Sequence, residues 1–120
     1  MVLITANIRE LYMTDLLTNP HGSEQFKPNT TVAVVVFCQG KFLLVEEIEN
    51  GNTVYNQPAG HLEANENLVD AAMRELEEET GLACSVDYLS GIYYYYRQSI
   101  SLYYLRFCFV IERESFEECQ

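Results

Sequence analysis

Between Gly60 and Leu82 the chain reads GHLEANENLVDAAMRELEEETGL, where Glu63, Glu66, Asp70, Glu75, Glu77, Glu78 and Glu79 face one cation, Arg74. The local charge is −6, more than half of the chain's −11. Wound into a helix at about 100° per residue, Glu75, Glu78 and Glu79 share one face, and like charges at such spacing cost roughly 0.2–0.5 kcal/mol per pair. Nothing on that stripe neutralises them. A bound cation is the simplest compensation, and hard carboxylate oxygens suit Mg²⁺, Mn²⁺ or Ca²⁺. A solvated acidic face is the competing reading of any acidic helix. Against it, Glu79 borders the apolar stripe Leu68, Val69, Ala72, Met73 and Leu76, a poor place for a merely solvated charge. The turn Gln57-Pro58-Ala59-Gly60 just ahead has carbonyls that can face the same spot.

The helix that would carry these groups has marked ends. Asn67 can cap its start, Asp70 follows three residues on, and Gly81 supplies a left-handed stop, which predicts Leu68 to Thr80. Glu77 and Asp70 are expected to point to solvent. Around it the sequence is strand-like. Thr31 to Phe37 (TVAVVVF) is a β-branched run suited to burial on both faces, with Lys41 to Glu46 as its hairpin partner across Gln39-Gly40. Glu49-Asn50-Gly51-Asn52 turns the chain into Thr53 to Asn56. Cys84 to Leu89 is expected as a short strand, and Gly91 to Arg97 and Ser101 to Ile111 as two long ones around Gln98-Ser99-Ile100. Alternation along the last puts Tyr103, Leu105, Phe107, Phe109 and Ile111 on one face and Leu102, Tyr104, Arg106, Cys108 and Val110 on the other.

Arg106 among apolar neighbours has two readings, a salt bridge at the end of the sheet or a contact to substrate phosphates, for which the arginine fork is suited. Tyr93 to Tyr96, Tyr103 and Tyr104 either cover the sheet or include one that stacks on a flat heterocycle, with Tyr104 a substrate-binding candidate beside Arg106. Residues 1 to about 18 carry Ile4, Ile8, Leu11, Tyr12 and Leu16 at helical spacing and predict an amphipathic helix, broken by Asn19-Pro20-His21-Gly22-Ser23. His21 is read as an exposed loop residue.

A chain of 120 residues with 48% hydrophobic content holds one domain with a modest core. No apolar run is long enough to span a membrane and the start lacks a signal peptide's pattern, so a cytoplasmic location is expected. Cys38, Cys84, Cys108 and Cys119 are scattered without a C-x-x-C pair, and reduced, mostly buried thiols are expected although an even count permits disulfides. The net charge opposes attraction to nucleic-acid polymers or anionic membranes. It leaves open a small phosphorylated substrate, taken through a divalent cation.

The acidic segment also spells Gly60, five residues, Glu66, seven residues, Arg74-Glu75-Leu76, one residue, Glu78-Glu79, one residue, Gly81-Leu82. This resembles, without a mismatch, the box G-x5-E-x7-R-E-U-x-E-E-x-G-U of the Nudix hydrolases. Likeness extends from Phe26 through TVAVVVF, GKFLLVEE and NQPAGHLEANE to SLYYLRFCFVIE, and is greatest to the NudJ-type phosphatase subgroup. The resemblance implies an α/β fold, an α/β/α sandwich around a mixed sheet. Members usually add a C-terminal strand and helix after the point where this sequence stops at Gln120. Residues 25–120 would be the Nudix domain and 1–24 an N-terminal extension. The resemblance further implies Mg²⁺ or Mn²⁺ held by Glu75, Glu78, Glu79 and the Gly60 carbonyl. Arg74 would orient the carboxylates, Glu75 or Glu78 would serve the chemistry, and Glu66 would be a secondary ligand or an anchor. In some members the general base comes from a late loop, for which Glu112, Glu114, Glu117 and Glu118 are the candidates.

The function the resemblance implies is metal-dependent hydrolysis of phosphate from small organic di- and triphosphates, namely thiamine-pathway diphosphates and nucleoside di- and triphosphates, by a monomer or homodimer. The alternatives are a catalytically silent Nudix-fold domain that binds a nucleotide or partner, and a pyrophosphatase of ADP-ribose or nucleotide sugars.

Overall fold

The computed structural model describes residues 25–119. A long strand β1 (Asn29–Cys38) lies at the centre, and the order of elements after it is β2 (Lys41–Phe42), β3 (Val45–Glu49), β4 (Asn52–Asn56), β5 (Ala59–His61), α1 (Leu68–Thr80), β6 (Tyr88–Arg97) and β7 (Leu102–Arg113). One 3₁₀ turn, Phe116–Glu118, follows. The main sheet runs β2-β1-β7-β6, with β5 also paired to β1. β1 and β7 are parallel from Asn29↔Tyr104 to Cys38↔Arg113, and every other pairing is antiparallel, so the sheet is mixed as expected.

β1 is buried through Thr31, Val32, Ala33 and Val34, as its unbroken β-branched run requires. Its even-numbered valines, with Phe109 and Ile111 of β7, pack against Ala71, Ala72 and Leu76 of α1. Helix bounds and caps match the sequence reading. Asn67 accepts from the Asp70 N–H at 2.8 Å, and Gly81, at φ +79°, donates its N–H to the Glu77 carbonyl. The apolar stripe is shifted by one position, because Ala71 is buried whereas Val69 is 42% exposed. Small residues at 71 and 72 let the helix approach the sheet, and the face so defined includes Glu75 and Glu79. Leu76 is fully buried at its centre. Leu76→Ala is expected to cost about 2–5 kcal/mol in chemical denaturation, the range for a leucine removed from a packed core.

Three expectations are corrected. The partner of β1 is only Lys41–Phe42, continued by the Leu43 N–H donating to the Val36 carbonyl, and Val45 onwards leaves to form a separate hairpin with β4. It must leave, because β5 occupies the rest of that edge of β1, opposite Thr31 to Ala33. The segment from Cys84 to Asp87 is not a strand. There the Asp87 carboxylate takes the Glu112 N–H at 2.7 Å and Arg113, and ladder pairing begins at Tyr88. The thiols are not all reduced, since Cys84 and Cys119 form a disulfide while Cys38 and Cys108 remain free and buried. The 3₁₀ turn brings Cys119 back over Cys84, a proximity that a sequence separation of 35 hides from sequence reading.

The predicted amphipathic helix in residues 1 to 18 and His21 lie outside the described residues. Among the described residues α1 is the only α-helix, and none is long and apolar enough to cross a membrane.

Candidate active site

Arg74 is the hub of the acidic segment. Its Nε and Nη2 grip the two Glu66 oxygens at 2.9 and 2.7 Å, and Nη2 also donates to the His61 carbonyl at 3.0 Å. Its Nη1 reaches Glu75 at 2.8 Å, Glu78 at 3.3 Å and Glu63 at 3.5 Å. Glu66 takes the Glu63 N–H as well, and the Arg74 fork, aided by that N–H, holds its carboxyl down at about 2. Glu66 therefore ties the 61–66 loop to the helix. The same ion pairs hold the Arg74 guanidinium above its ordinary value, against its partial burial. Asp70, an alternative partner at helical spacing, is instead taken up by Asn67 in the cap.

Glu79 stands apart from this network. Its Oε2 is buried without a hydrogen-bond partner. Burial pushes its carboxyl above the usual carboxylate range, the Ala59 N–H pulls it back, and the charges of Glu75, Glu47 and Glu78 raise it further. Gly60 lies directly against the Glu75 carboxylate, where a Cβ would overlap it. Gly60→Ala must therefore displace Glu75 or part β5 from α1. We expect a loss of about 1–3 kcal/mol in stability, read by denaturant titration, together with a larger loss of any metal affinity.

The donors suit a divalent cation: oxygen ligands, a local excess of negative charge, a buried oxygen without a partner and a glycine where backbone and carboxylate meet. Among the described residues no group of three His, Cys, Asp or Glu side chains is arranged to hold a metal ion, and Glu75 and Glu78 are both turned to Arg74.

Gly60 and Ala59 also form the floor of a cleft of about 1020 Å³ between the β3–β4 hairpin and the ends of β6 and β7. Arg106 and Tyr104 both line it, on the β7 face opposite α1. Arg106 Nε donates to Thr31 Oγ1 at 3.2 Å, and no carboxylate pairs with it among the described residues, which removes the salt-bridge reading. Tyr104 is buried and stacks on Tyr95 with ring centres 5.5 Å apart, while His61 lies 6.4 Å away on its other flank. Tyr94, Tyr96 and Tyr103 belong to the opposite face.

Among the cleft residues that escaped the sequence reading are Glu47, Asn56, His61 and Arg97. Glu47 is held by Asn56 Nδ2 at 3.0 Å, and it carried no signal beyond lying in the strand-like LLVEE run. The late glutamates are not brought to the cleft. Glu112 is opposite Phe37 and Arg106 opposite Thr31, six residues apart along β7 or about 20 Å. Glu112 instead accepts from the Tyr88 hydroxyl at 2.9 Å.

This fold and the acidic segment define the class: the chain belongs to the Nudix family, whose NUDIX domain model matches residues 27–118. Among curated proteins it is similar to phosphatase NudJ of Escherichia coli, 51% identical over 89 residues, covering 74% of this chain and 58% of the relative. The chain thus spans less than two thirds of the length of the curated relatives it matches. Among solved structures, a NUDIX hydrolase from Nitrosomonas europaea superposes with a TM-score of 0.69 at 47% identity, covering 75% of this chain and 62% of that one. The NUDIX domain of Shewanella oneidensis NrtR, complexed with ADP ribose, shares the fold at TM-score 0.67 and 19% identity, over 91% and 73% of the two chains.

Proposed function

We propose that this domain hydrolyses phosphoanhydride bonds in small organic di- and triphosphates, with Mg²⁺ or Mn²⁺ held by Glu75, Glu78, Glu79 and the Gly60 carbonyl. The observation that carries this reading is the partnerless buried oxygen of Glu79, on a carboxylate that takes the N–H of Ala59, a residue lining the cleft that Arg106 also lines; Glu75, Glu78 and Glu79 do not themselves line that cleft. A divalent cation bound there would neutralise charge on the transferred phosphate. Arg74 holds Glu75 and Glu78 in place beside it, and either would take the proton of an attacking water. Arg106 is fixed at Nε by Thr31, leaving its terminal nitrogens for phosphate oxygens. The Tyr95–Tyr104 stack gives the organic moiety a flat wall to lie against.

The test is release of orthophosphate and pyrophosphate, with and without Mg²⁺, from thiamine diphosphate, hydroxymethylpyrimidine diphosphate, nucleoside di- and triphosphates and ADP-ribose. Metal-dependent release is expected on at least one of the first three classes. ADP-ribose cleavage alone would move the substrate class to pyrophosphatase chemistry. Binding of these compounds without turnover by a folded sample would make the domain a silent binder. Arg106→Ala should raise KM for the accepted substrate about tenfold or more with a smaller change in kcat, and an unchanged KM would remove Arg106 from the substrate site.

A further inference from the structure

The cleft has walls of opposite charge. The β3–β4 hairpin brings Glu47 and Glu49 to it, and the main sheet brings Arg97 and Arg106. Glu49 is answered by Arg97, which reaches it at 3.9 Å, whereas no cation pairs with Glu47 among the described residues. What Glu47 has instead is an amide. Asn56 follows Val54, the cross-strand neighbour of Glu47, by two positions and so shares its face of the hairpin, and its Nδ2 donates to Glu47 Oε2 at 3.0 Å. A carboxylate only accepts, which settles the orientation of the Asn56 amide. Glu47 Oε1 and Asn56 Oδ1 then remain as acceptors without a partner among the described residues, in a pair held at a fixed spacing on the hairpin wall.

We propose that Glu47, positioned by Asn56, selects the organic part of the substrate: a flat heterocycle that carries an amino group, as adenine and cytosine do, in preference to its oxo counterpart, as in hypoxanthine and uracil. The inference rests on the reading that the organic moiety lies in this cleft against Tyr104, with its phosphates towards Arg106. Phosphate is repelled from the hairpin wall by a carboxylate that no cation neutralises, so the charge across the cleft orients the substrate with its uncharged end at Glu47. An amino N–H donates to the free Glu47 oxygen, the pairing by which glutamate and aspartate read the amino group of cytosine. An oxo group sets acceptor against acceptor once water has left, and both then lose a hydrogen bond. With its ring against Tyr104 and its phosphates at Arg106, an oxo base is not free to slide and offer an adjacent ring N–H instead. Glu47 is also within electrostatic reach of Glu79, whose carboxyl its charge helps to raise, so loss of a metal ligand is the competing explanation of any effect at this position.

Equilibrium binding decides between them. Calorimetry on the full chain without divalent metal, where nothing is turned over, compares ADP with IDP and CDP with UDP, each pair differing in an amino or an oxo group at one ring carbon. The amino member of each pair is expected to bind about tenfold more tightly. In Glu47→Gln the glutamine oxygen takes the Asn56 Nδ2 and its amide nitrogen faces the cleft as a donor, so the preference should vanish or turn to the oxo members. Both side chains are exposed, and the melting temperature should stay within about 2 °C of the wild type. Equal binding within both pairs, binding of none of the four, or a preference that Glu47→Gln leaves intact would each overturn the proposal. A variant that kept the preference but lost the rise in melting temperature with Mg²⁺ would make Glu47 a metal ligand, and that too overturns it. Preference without turnover of any diphosphate would remove the hydrolase reading and keep this one, whereas turnover without preference would remove this one alone.

Discussion

Glu79→Gln is expected to abolish metal-dependent turnover, by about a hundred- to a thousandfold, while making the metal-free protein more stable at neutral pH. The two effects have one cause. Glu79 holds a buried oxygen with no partner, close to the charges of Glu75, Glu47 and Glu78, so its ionised form is disfavoured and its carboxyl titrates above the ordinary range. A carboxyl whose folded pKa is raised binds its proton more tightly in the folded state. Its contribution is therefore fully favourable below the unfolded pKa, about 4.3, and is lost as pH rises through the raised value. Glutamine keeps the shape and an acceptor for the Ala59 N–H but cannot ionise, so the variant should match the wild type in acid and exceed it at pH 7. A ligand removed from a metal that stabilises transferred-phosphate charge by several kcal/mol accounts for the loss of rate. Saturating Mg²⁺ should lift the melting temperature of the wild type, by the equivalent of about 2.7 kcal/mol at a hundred times Kd, and leave that of the variant nearly unmoved. A variant that kept turnover and the metal response would show that Glu79 is not a ligand. One that lost stability without metal would show a carboxylate with a structural role.

The boundaries of α1 were legible because they rest on local chemistry: an asparagine cap, its acidic partner three residues on, and a glycine in the left-handed region. β1 was legible for a similar reason, since a run of β-branched residues needs no distant information to be read as a buried strand. What failed depended on distant parts of the chain. Lys41 to Glu46 has the composition of one strand, but β5 claims the edge it would have used. Cys84 and Cys119 meet only because the 3₁₀ turn folds back. At the site, spacing alone placed the carboxylates on one helix and Tyr104 and Arg106 on one strand face. Glu47 and His61 reach the cleft from a separate hairpin and a three-residue strand, and no local pattern announces either. Alternation likewise divided the tyrosines between two faces of the sheet without indicating that one of them borders the cleft.

Arg74→Ala should be the most damaging single change in the acidic segment for fold and activity together. One guanidinium contacts four carboxylates, those of Glu63, Glu66, Glu75 and Glu78, and also caps the His61 carbonyl. Without it the 61–66 loop loses its tie to the helix, and the carboxylates repel one another with no internal counter-charge. A melting temperature lower by roughly 10 °C is expected, as for the loss of a hydrogen-bonded charge network. Turnover should fall about 10- to 100-fold, the usual cost of losing a group that orients ligands. The pH dependence identifies the cause. Glu66 is held at about 2 in the folded protein, so the stability it draws from Arg74 is complete above its unfolded pKa and is lost as pH falls towards 2. The gap in melting temperature between wild type and Arg74→Ala should then be widest at neutral pH and close progressively below about pH 4.3. Arg74→Lys restores the charge but not the fork that grips both Glu66 oxygens, so it should recover part of the stability and less of the rate. A gap that stayed constant down to pH 2 would mean that Arg74 acts through the packing of its methylene stem, and that the carboxylates keep their places without it.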